Sequence, residues 1–550
     1  MKNIVYLIVL VFVLLSCKHK NTDKTSPLVV GTPPQNAYTG LVRLNDGEIR
    51  HYGPNMYIWS KNNGISWDST LVSDGNLYGK KDPRSKEYLR IYAGSNDSIF
   101  AVRSQGGIDG KWTKKLIDTN GAIMIKPAVF IKNGTRAIVA FHTKHRNGCG
   151  VYYSDDSGRS WKKSNQVNTP PHKAEGFHKG QRWNHGAVEP SVVELNDGRL
   201  WMLIRNAQDN LYESFSENSG ESWSTPVPSR FYGTITMPTI QKLKDKRLLL
   251  LWNNTTPLPE VEHNGGYWED VFTNRDALHA AISDDDGKTW KGFREIYLNP
   301  LRNDSLMATR FGKMGSNDRS VQQTEFVELD NDKVLIALGQ HPKIRKLLVL
   351  DLNWLYEKER PDNFSDGLTN WSYHKYIKGI KGHCAYNRKP GAFLIPHPDD
   401  PSKKVMHLKA ERDTTLLSQN SGALFNFPGG HKGEIQLRFR AHKNFEGIHI
   451  NLLDRWFNPS DTIAQEYAMF NFEMKKELLI PETWHDLKLK WNINQKTGYC
   501  EIFIDDRKIN STLPIKNMSQ NGISYIHFSL PLKRSLNNGI LIESIKTRIE

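Results

Sequence analysis

The chain has 550 residues, 38% of them hydrophobic and 24% charged, which is an ordinary balance for a globular protein and excludes intrinsic disorder. Lysine and arginine number 74 against 59 acidic residues, a net charge of +15, yet the basic residues are scattered along the sequence. Because no basic run with interleaved aromatic residues occurs, we expect no nucleic-acid partner, whereas the positive charge is compatible with an acidic substrate.

The sequence begins with a short apolar segment behind a single basic residue, Lys2. Such a segment is too short to span a membrane and is typical of a signal peptide, predicted here over residues 1–16. Its end and the next residue read LLSC, which resembles a bacterial lipobox and implies that Cys17 is lipidated; a plain secretory peptide with an incidental cysteine is the alternative. We therefore predict a polar tether over residues 17–28 and a lipid-anchored protein of the bacterial cell envelope, periplasmic or at the cell surface.

The remaining cysteines, Cys149, Cys384 and Cys500, are odd in number and lie far apart. They form no disulfide framework, and their spacing suits neither a metal site nor a redox motif. We expect no metal and no cofactor.

An eight-residue pattern recurs along the first part of the chain. It reads SKNNGISW at 60–67, SDDSGRSW at 154–161, SENSGESW at 216–223 and SDDDGKTW at 283–290, with a degenerate form at 104–112. Its polar residues can bond their own backbone, its glycine suits a positive φ, and its tryptophan can pack under the turn, so the pattern predicts a hairpin turn. We call it the box turn. A calcium-binding EF-hand would need a longer loop with a terminal glutamate, which these segments lack.

A second repeat, an apolar strand followed by a polar turn and another strand, precedes the box turns. It begins at residues 40, 127, 190, 238 and 325, and a degenerate unit spans 88–112, which makes six units. Periods of about 45 to 65 residues with several strands per unit are typical of propeller blades. We predict an all-β protein with a six-bladed β-propeller over residues 29–358.

On this six-fold repeat, the box turn resembles the Asp box of the sialidase (neuraminidase) superfamily, also called the BNR repeat. The resemblance covers roughly residues 29–355, about 60% of the chain. Since the boxes lie on blade turns away from the central axis, they imply a fold and leave the reaction open.

The periodicity changes from about Pro361 onward, where no further box turn occurs. The segments WHDLKLKW at 484–491 and YCEIFIDD at 499–506 resemble paired strands of lectin-like (concanavalin A-like) sandwiches. We predict a β-sandwich, jelly-roll or lectin-like, over residues 362–550, which either buttresses the propeller or binds glycan. The change in composition also predicts an exposed, protease-sensitive linker between about residues 356 and 370.

Candidate functional residues should lie at the propeller axis, at the ends of the inner strands. The stretch RWNHGAVEP at 182–190 leads into the fourth inner strand, and the next strand ends in LIRN at 203–206. Glu189 and Arg205 therefore fall where a blade presents side chains to the axis, although a simple blade-edge ion pair is the alternative.

The sialidase resemblance implies roles for three residues. Glu189 matches the glutamate that polarises the nucleophile, whereas Arg205 and Arg275 match two members of a three-arginine clamp on the substrate carboxylate. Guanidinium groups suit this task because they bind carboxylates bidentately and stay charged. Arg182, close to Glu189 in the sequence, is a further candidate for substrate binding.

Three departures from the family pattern are visible. The first clamp arginine is missing from QNAYTG at 35–40, Gln323 stands where the nucleophilic tyrosine is expected, and only Asp82 matches the general acid, by position alone. Histidine could replace the missing acid or base because its pKa suits proton transfer near neutrality. His185 is the first candidate because of its neighbours; the others near blade strands are His142, His145 and His279.

Three functions remain open. The first is an exported glycoside hydrolase, exo-α-sialidase-like, that acts on a terminal acidic sugar, with catalytic Glu189 and His185. The second is a uronate-directed polysaccharide lyase, which needs a cation for the carboxylate and a base for the C5 proton. The third is a non-catalytic carbohydrate-binding propeller. In each case the expected partners are a glycan or polysaccharide and, through the lipid anchor, a membrane.

Overall fold

The computed structural model describes residues 27–72, 77–85, 87–173, 182, 186–233, 235–256, 275–303, 306–307, 320–378, 386–410, 412–416, 418–509, 512–532 and 539–550. Within them the protein is almost entirely β. Helical structure is limited to α1 (Ala464–Tyr467) and two 3-10 turns, Leu352–Tyr356 and Lys476–Leu478. The all-β prediction is confirmed.

Six sheets of four or five strands follow one another along the first part of the described chain. The strands, in chain order, are β1 (Leu28–Gly31); β2 (Leu41–Arg43), β3 (Ile49–Tyr52), β4 (Met56–Ser60) and β5 (Asp68–Leu71) of blade 1; β6 (Lys80–Lys81), β7 (Tyr88–Ala93), β8 (Ile99–Gln105) and β9 (Lys111–Asp118) of blade 2; β10 (Ala122–Ile123), β11 (Val129–Ile131), β12 (Arg136–Thr143), β13 (Cys149–Ser154) and β14 (Lys162–Lys163) of blade 3; β15 (Val188–Glu194), β16 (Leu200–Arg205), β17 (Asn210–Ser216) and β18 (Val227–Tyr232) of blade 4; β19 (Thr239–Lys242), β20 (Leu248–Trp252), β21 (Ala277–Ser283) and β22 (Lys291–Leu298) of blade 5; β23 (Leu306–Met307), outside the blades; and β24 (Glu325–Glu328), β25 (Lys333–Leu338) and β26 (Lys346–Asp351) of blade 6.

The first strand of the described chain completes the last blade. Strand β1 pairs antiparallel with β26, and Leu28 lies opposite Val349. Blades 1 and 6 are also joined near the axis, where the amide of Leu41 donates to Glu325 Oε2 at 3.1 Å. Joining the two ends of the repeat in this way leaves neither terminal blade with an unpartnered face, and the predicted six-bladed propeller is confirmed.

The box turns connect the third and fourth strands of blades 1, 3, 4 and 5. In blade 3, Ser154 Oγ accepts a hydrogen bond from the amide of Gly158 at 2.9 Å, and Asp156 Oδ1 accepts from the amide of Ser160 at 2.8 Å. Gly158 has a φ of +77°, and Trp161 Nε1 donates to its carbonyl at 3.1 Å. The equivalent serine and Asp/Asn bonds recur in the other three turns. Because the third strand ends where the inner strand ends, these turns lie at the end of the blades away from Glu189.

The remaining described strands form two large sheets and one small sheet. They are β27 (Glu359–Asp362), β28 (Trp371–Ser372), β29 (His374–Ile377), β30 (Tyr386–Pro390), β31 (Ala392–His397), β32 (Asp400–Lys409), β33 (Ser421–Gly430), β34 (Lys432–Ala441), β35 (Ile448–Leu453), β36 (Phe470–Met474), β37 (Trp484–Ile493), β38 (Gly498–Ile504), β39 (Arg507–Lys508), β40 (Leu513–Pro514), β41 (Ile523–Leu530) and β42 (Gly539–Ile549). A nine-stranded sheet runs β31-β32-β42-β34-β37-β38-β39, with β27 beside β42 and β40 beside β38, and a five-stranded sheet runs β28-β33-β41-β35-β36. Their facing side chains share one apolar core, which makes this part a β-sandwich, as the sequence predicts.

Residues 356–370 contain a short strand that joins the sandwich, although many of these residues are exposed. Strand β27 pairs with the second half of β42, where Arg360 lies opposite Thr547. Arg360 Nη1 donates to the carbonyl of Asn426 at 2.8 Å, and Trp371 Nε1 donates to Asp362 Oδ2 at 3.3 Å. Glu359–Asp362 of this segment is therefore an edge strand of the sandwich, because β32 pairs only with the first half of β42 and leaves the second half open for β27.

The sandwich packs against the outer strand of blade 5 through buried polar groups. Asn426 Oδ1 accepts from the amide of Glu295 at 3.0 Å, and Tyr525 Oη donates to Glu295 Oε1 at 2.8 Å. The Tyr525 hydroxyl also contacts His279 Nε2. Burial lowers the pKa of His279 to about 3, so this imidazole is neutral. His279 thus belongs to the contact between propeller and sandwich.

Candidate functional site

The end of the propeller opposite the box turns brings together side chains from several blades. An inner strand begins at this end and the second strand of the same blade returns to it, as the pairing of Val188 with Arg205 shows in blade 4. In blade 3 the second strand returns at His142. Charged and polar residues at these strand ends therefore converge near the axis.

Glu189 and Arg205 form a buried ion pair at this end. Arg205 Nη1 lies 2.5 Å from Glu189 Oε2, and the two side chains are 4% and 10% exposed, respectively. Within the described part of the chain, Arg205 Nε has no hydrogen-bond partner. Glu189 has a φ of +46°, a conformation that non-glycine residues rarely adopt and that costs of order 1–3 kcal/mol. Backbone strain of this kind is concentrated at functional sites.

Two residues of blade 3 complete the charge balance around this pair. Burial raises the pKa of the Glu189 carboxyl group, but the charge and hydrogen bond of Arg205 and the charge of Arg146 outweigh this effect, so the pKa lies below its usual value. His142 Nδ1 accepts a hydrogen bond from the amide of Glu189 at 3.3 Å. Burial, helped by Arg146 and Arg205, lowers the pKa of His142 to about 4. At neutral pH the site therefore holds a carboxylate, two guanidinium groups and a neutral imidazole.

A phenol from blade 1 is influenced by the charge of Glu189. Tyr38 comes just before the first inner strand, in the segment where the family pattern has its missing arginine. Its hydroxyl accepts a hydrogen bond from Asn36 Nδ2 at 3.1 Å. Burial raises the pKa of Tyr38, and the negative charge of Glu189 contributes in the same direction, so the phenol lies within electrostatic reach of that carboxylate.

A lysine that precedes the inner strand of blade 3 bonds to residues of blades 5 and 6. Lys126 Nζ donates to Thr239 Oγ1 at 2.5 Å and to the carbonyl of Thr324 at 2.7 Å. Burial lowers the pKa of Lys126 to about 7, against the opposing effects of Glu325 and Glu189. Burial raises the pKa of Glu325, also to about 7. Lys126 and Glu325 therefore influence each other's protonation.

The other arginine candidates occupy different environments. Arg182 Nη2 pairs with Asp209 at 2.6 Å and its Nη1 donates to the carbonyl of Ala207 at 2.9 Å, so protein groups already bind this guanidinium. Arg275 is 1% exposed, and its Nη1 donates to the carbonyl of Ile235 at 3.3 Å.

The remaining candidates divide between described and undescribed parts of the chain. Asp82 lies in the turn between β6 and β7, at the box-turn end, where it accepts from the amide of Arg84 at 2.8 Å; it is therefore at the wrong end for a general acid of this site. Gln323 is buried with a φ of +60°. His145 is exposed. His185 and Cys17 lie outside the described residues.

Sequence reasoning missed Arg146, Tyr38 and Lys126 as site residues. Arg146 was recognisable in principle, because it lies in the turn just after the second strand of blade 3, at the same end of the blades as Arg205. Tyr38 and Lys126 carry no such signal, since their approach to Glu189 depends on how blades 1, 3 and 4 meet around the axis.

The described residues contain no group of three or more histidine, cysteine, aspartate or glutamate side chains arranged to hold a metal ion. In the same residues, no helix has the length and apolar character needed to cross a membrane.

Comparison with known proteins supports the repeat assignment. Residues 111–369 match the BNR repeat-like domain family. No curated protein matches the chain significantly. The sheets described above establish the fold. None of these matches establishes which reaction, if any, the protein catalyses.

Among solved structures, a mutant of Trypanosoma rangeli sialidase displaying trans-sialidase activity is 11% identical, covers 94% of each chain and has a TM-score of 0.33. A protein of unknown function from Dyadobacter fermentans is 16% identical over 59% of this chain and 96% of its own, with a TM-score of 0.39. A Hadza microbial sialidase is 13% identical over 60% of this chain and 69% of its own, with a TM-score of 0.38.

Proposed function

We propose that the protein is an exported glycoside hydrolase of the sialidase superfamily that acts on a terminal acidic sugar bound at the propeller axis. The observation that carries this proposal is the buried Glu189–Arg205 pair, with Tyr38 within electrostatic reach of the carboxylate. The BNR repeat-like match over residues 111–369 supports the superfamily.

In this proposal the guanidinium groups bind the carboxylate of the sugar. Arg205 keeps Nε free of any hydrogen-bond partner in the described chain, and Arg146 adds a second positive charge beside it. Two guanidinium groups give a carboxylate both charge and fixed geometry. An acidic substrate also suits the net charge of +15.

Tyr38 and Glu189 are the proposed nucleophile and base. Glu189, ionised at neutral pH, accepts the phenol proton while the Tyr38 oxygen forms a bond to the anomeric carbon and the glycosidic bond breaks, the departing oxygen taking a proton from water. Water then hydrolyses the bond between the sugar and Tyr38 and restores the phenol. Tyr38 of blade 1 would thus serve as nucleophile instead of a tyrosine in blade 6. The corresponding position in blade 6 is Gln323, and an amide side chain cannot act as the nucleophile.

A lyase acting on uronic acids is the second candidate, and His142 is the observation that favours it. Its imidazole is neutral at pH 7 and lies against Glu189, with Arg146 and Arg205 nearby to neutralise a sugar carboxylate. Abstraction of the C5 proton followed by elimination would leave an unsaturated sugar, which absorbs ultraviolet light and so distinguishes the two reactions.

A panel of acidic glycans, read for released sugar and for ultraviolet absorbance, tests both candidates. For hydrolysis we expect Glu189→Gln to lower kcat about 10²–10⁴-fold with little change in KM, because the base acts only in the transition state. Tyr38→Phe should lower kcat by at least as large a factor. Tyr499→Phe, at an exposed position of the sandwich, is the matched control. Wild-type turnover in both site variants, or tight glycan binding without any turnover, would contradict the hydrolase proposal.

We also propose that the protein is anchored to the cell envelope by lipid on Cys17. After salt washing, the wild-type chain should stay in the membrane fraction and Cys17→Ala should be released, because the acyl chains supply the apolar attachment. Cys384→Ala is the matched control, since it removes a cysteine elsewhere in the chain. Equal membrane retention of Cys17→Ala and wild type would show that the cysteine is not the anchor.

A further inference from the structure

A second concave feature lies on the propeller axis, at the end opposite the candidate site. It is a cavity of about 460 Å³ between the inner strands of blades 2 to 5. Its walls include the last residues of two inner strands, Glu194 and Lys242, and turn residues Pro83 and Gly134. This volume lies within the roughly 300–1,000 Å³ of small-molecule sites.

The charged lining of the cavity is mainly basic. Among the described residues that line it are Lys80, Lys81, Lys126 and Lys242, and one carboxylate, Glu194. Among the described residues, none of these four lysines has an ion-pair partner within 4.0 Å. The Glu194 carboxylate is bound by the backbone, because its Oε1 accepts a hydrogen bond from the amide of Lys132 at 2.9 Å.

Two more carboxylates lie near the lysines and are held by the backbone. Glu325 Oε2 accepts from the amide of Leu41 at 3.1 Å, and both oxygens of Glu328 accept from the amide of Lys244 at 3.1 Å. They moderate the positive charge without pairing with the cavity lysines. Because the other walls are largely apolar, including Phe130 and Ile240, they screen this charge weakly and concentrate the positive potential inside the cavity.

We propose that this cavity binds a multivalent oxyanion, the phosphate or sulfate group of a small ligand, through Lys80, Lys81 and Lys242, with Lys126 at its inner wall. Lysine ammonium groups bind phosphate as point charges, and here Lys80, Lys81 and Lys242 line one space without an ion-pair partner among the described residues. The apolar walls leave room for the non-ionic part of an esterified ligand. Glu189, Arg205 and His142 do not line this cavity, so it is distinct from the candidate site.

Isothermal titration of the full-length protein at low ionic strength tests the proposal, with inorganic pyrophosphate, glucose 6-phosphate and glucose 6-sulfate as probes. We expect saturable binding of at least one anion, and a loss of about tenfold to a hundredfold in Lys80→Gln/Lys242→Gln, because each lysine supplies a charge-assisted contact. Tighter binding of the sugar esters would identify an esterified ligand, and tighter binding of pyrophosphate an inorganic one.

The matched control is Lys288→Gln/Lys333→Gln, which removes the same charge from exposed positions at the box-turn end but outside the cavity. It should bind like wild type. Equal weakening in both double variants would show a general charge effect and overturn the proposal, as would the absence of binding by all three anions. Since neither Lys80 nor Lys242 takes part in an ion pair, the cavity variant should keep the wild-type melting temperature, which checks its folding.

Discussion

Replacing Arg205 with methionine should lower the free energy of unfolding by about 3–5 kcal/mol, because the change leaves the Glu189 carboxylate buried without its partner. The Nη1–Oε2 distance is 2.5 Å, and the Arg205 and Glu189 side chains are only 4% and 10% exposed. Solvent therefore screens this pair much less than it screens surface ion pairs. The measurement is urea-induced unfolding of the two proteins. In Glu189→Gln/Arg205→Met much of the loss should be recovered, since neither charge then remains unpaired.

Arg199→Met is the control for this experiment. Arg199 pairs with Asp197 in the same blade at 2.8 Å, but the side chains are 45% and 49% exposed. Removing an exposed pair should cost less than about 1 kcal/mol. If Arg205→Met cost no more than Arg199→Met, the Glu189–Arg205 pair would not be a buried charge pair in solution.

The loss of unfolding free energy in Arg205→Met should also depend on pH. In the wild type the Glu189 pKa lies below its unfolded value, so the pair stabilises the fold above that value and the contribution is lost as the pH falls through the folded pKa. Without Arg205, burial prevails and raises the Glu189 pKa, so that the ionised form is disfavoured. The difference between Arg205→Met and wild type should therefore be largest near pH 8 and narrow toward pH 5.

A chain ending at Lys358 should fail to yield a soluble propeller with a cooperative unfolding transition. Three hydrogen bonds between propeller and sandwich would be lost at once. Tyr525 donates to Glu295 at 2.8 Å, and Arg388 Nη2 donates to Asp276 Oδ2 at 2.7 Å. Asn254 Nδ2 donates to the carbonyl of Asp454 at 2.9 Å. Each buried polar group left without a partner costs about 1–3 kcal/mol, and an unpaired buried charge costs more. Together such losses rival the whole stability of a typical domain, about 5–15 kcal/mol.

Expression of residues 27–358 and of the full chain, followed by thermal unfolding, measures this effect. The full chain should unfold in one transition and should resist trypsin between residues 356 and 370, because β27 is paired with β42 and Arg360 is bonded to Asn426. Rapid cleavage in that segment, together with a stable fragment ending near Leu355, would show instead that propeller and sandwich are independent.

Local features of the fold follow from the sequence alone. Each box turn bonds residues at most four positions apart, as Ser154 does with Gly158, so its hairpin can be recognised from eight residues. Spacing of these turns then gives the blades, and the blades give the ends of the strands on which Glu189 and Arg205 lie. Their proximity was predictable because both belong to one hairpin, β15 and β16.

The rest of the candidate site depends on long-range packing. Tyr38, Lys126 and Arg146 lie within electrostatic range of Glu189 although they belong to blades 1 and 3, and no local sequence pattern shows how blades pack around an axis. The same applies to the cavity lysines, which belong to separate blades.

The boundary between the two parts of the chain was also decided by tertiary structure. A change in the repeat pattern marks the change from propeller to sandwich. Whether the connecting segment forms a strand depends on which sheet edge lies beside it, and here the second half of β42 is free to pair with β27. Likewise, the partner of Glu295 is Tyr525, 230 residues away. Sequence determined the turns, the strands and the residues that a single hairpin holds together. Only the folded chain determined which side chains share buried space, because that depends on contacts between strands far apart in sequence.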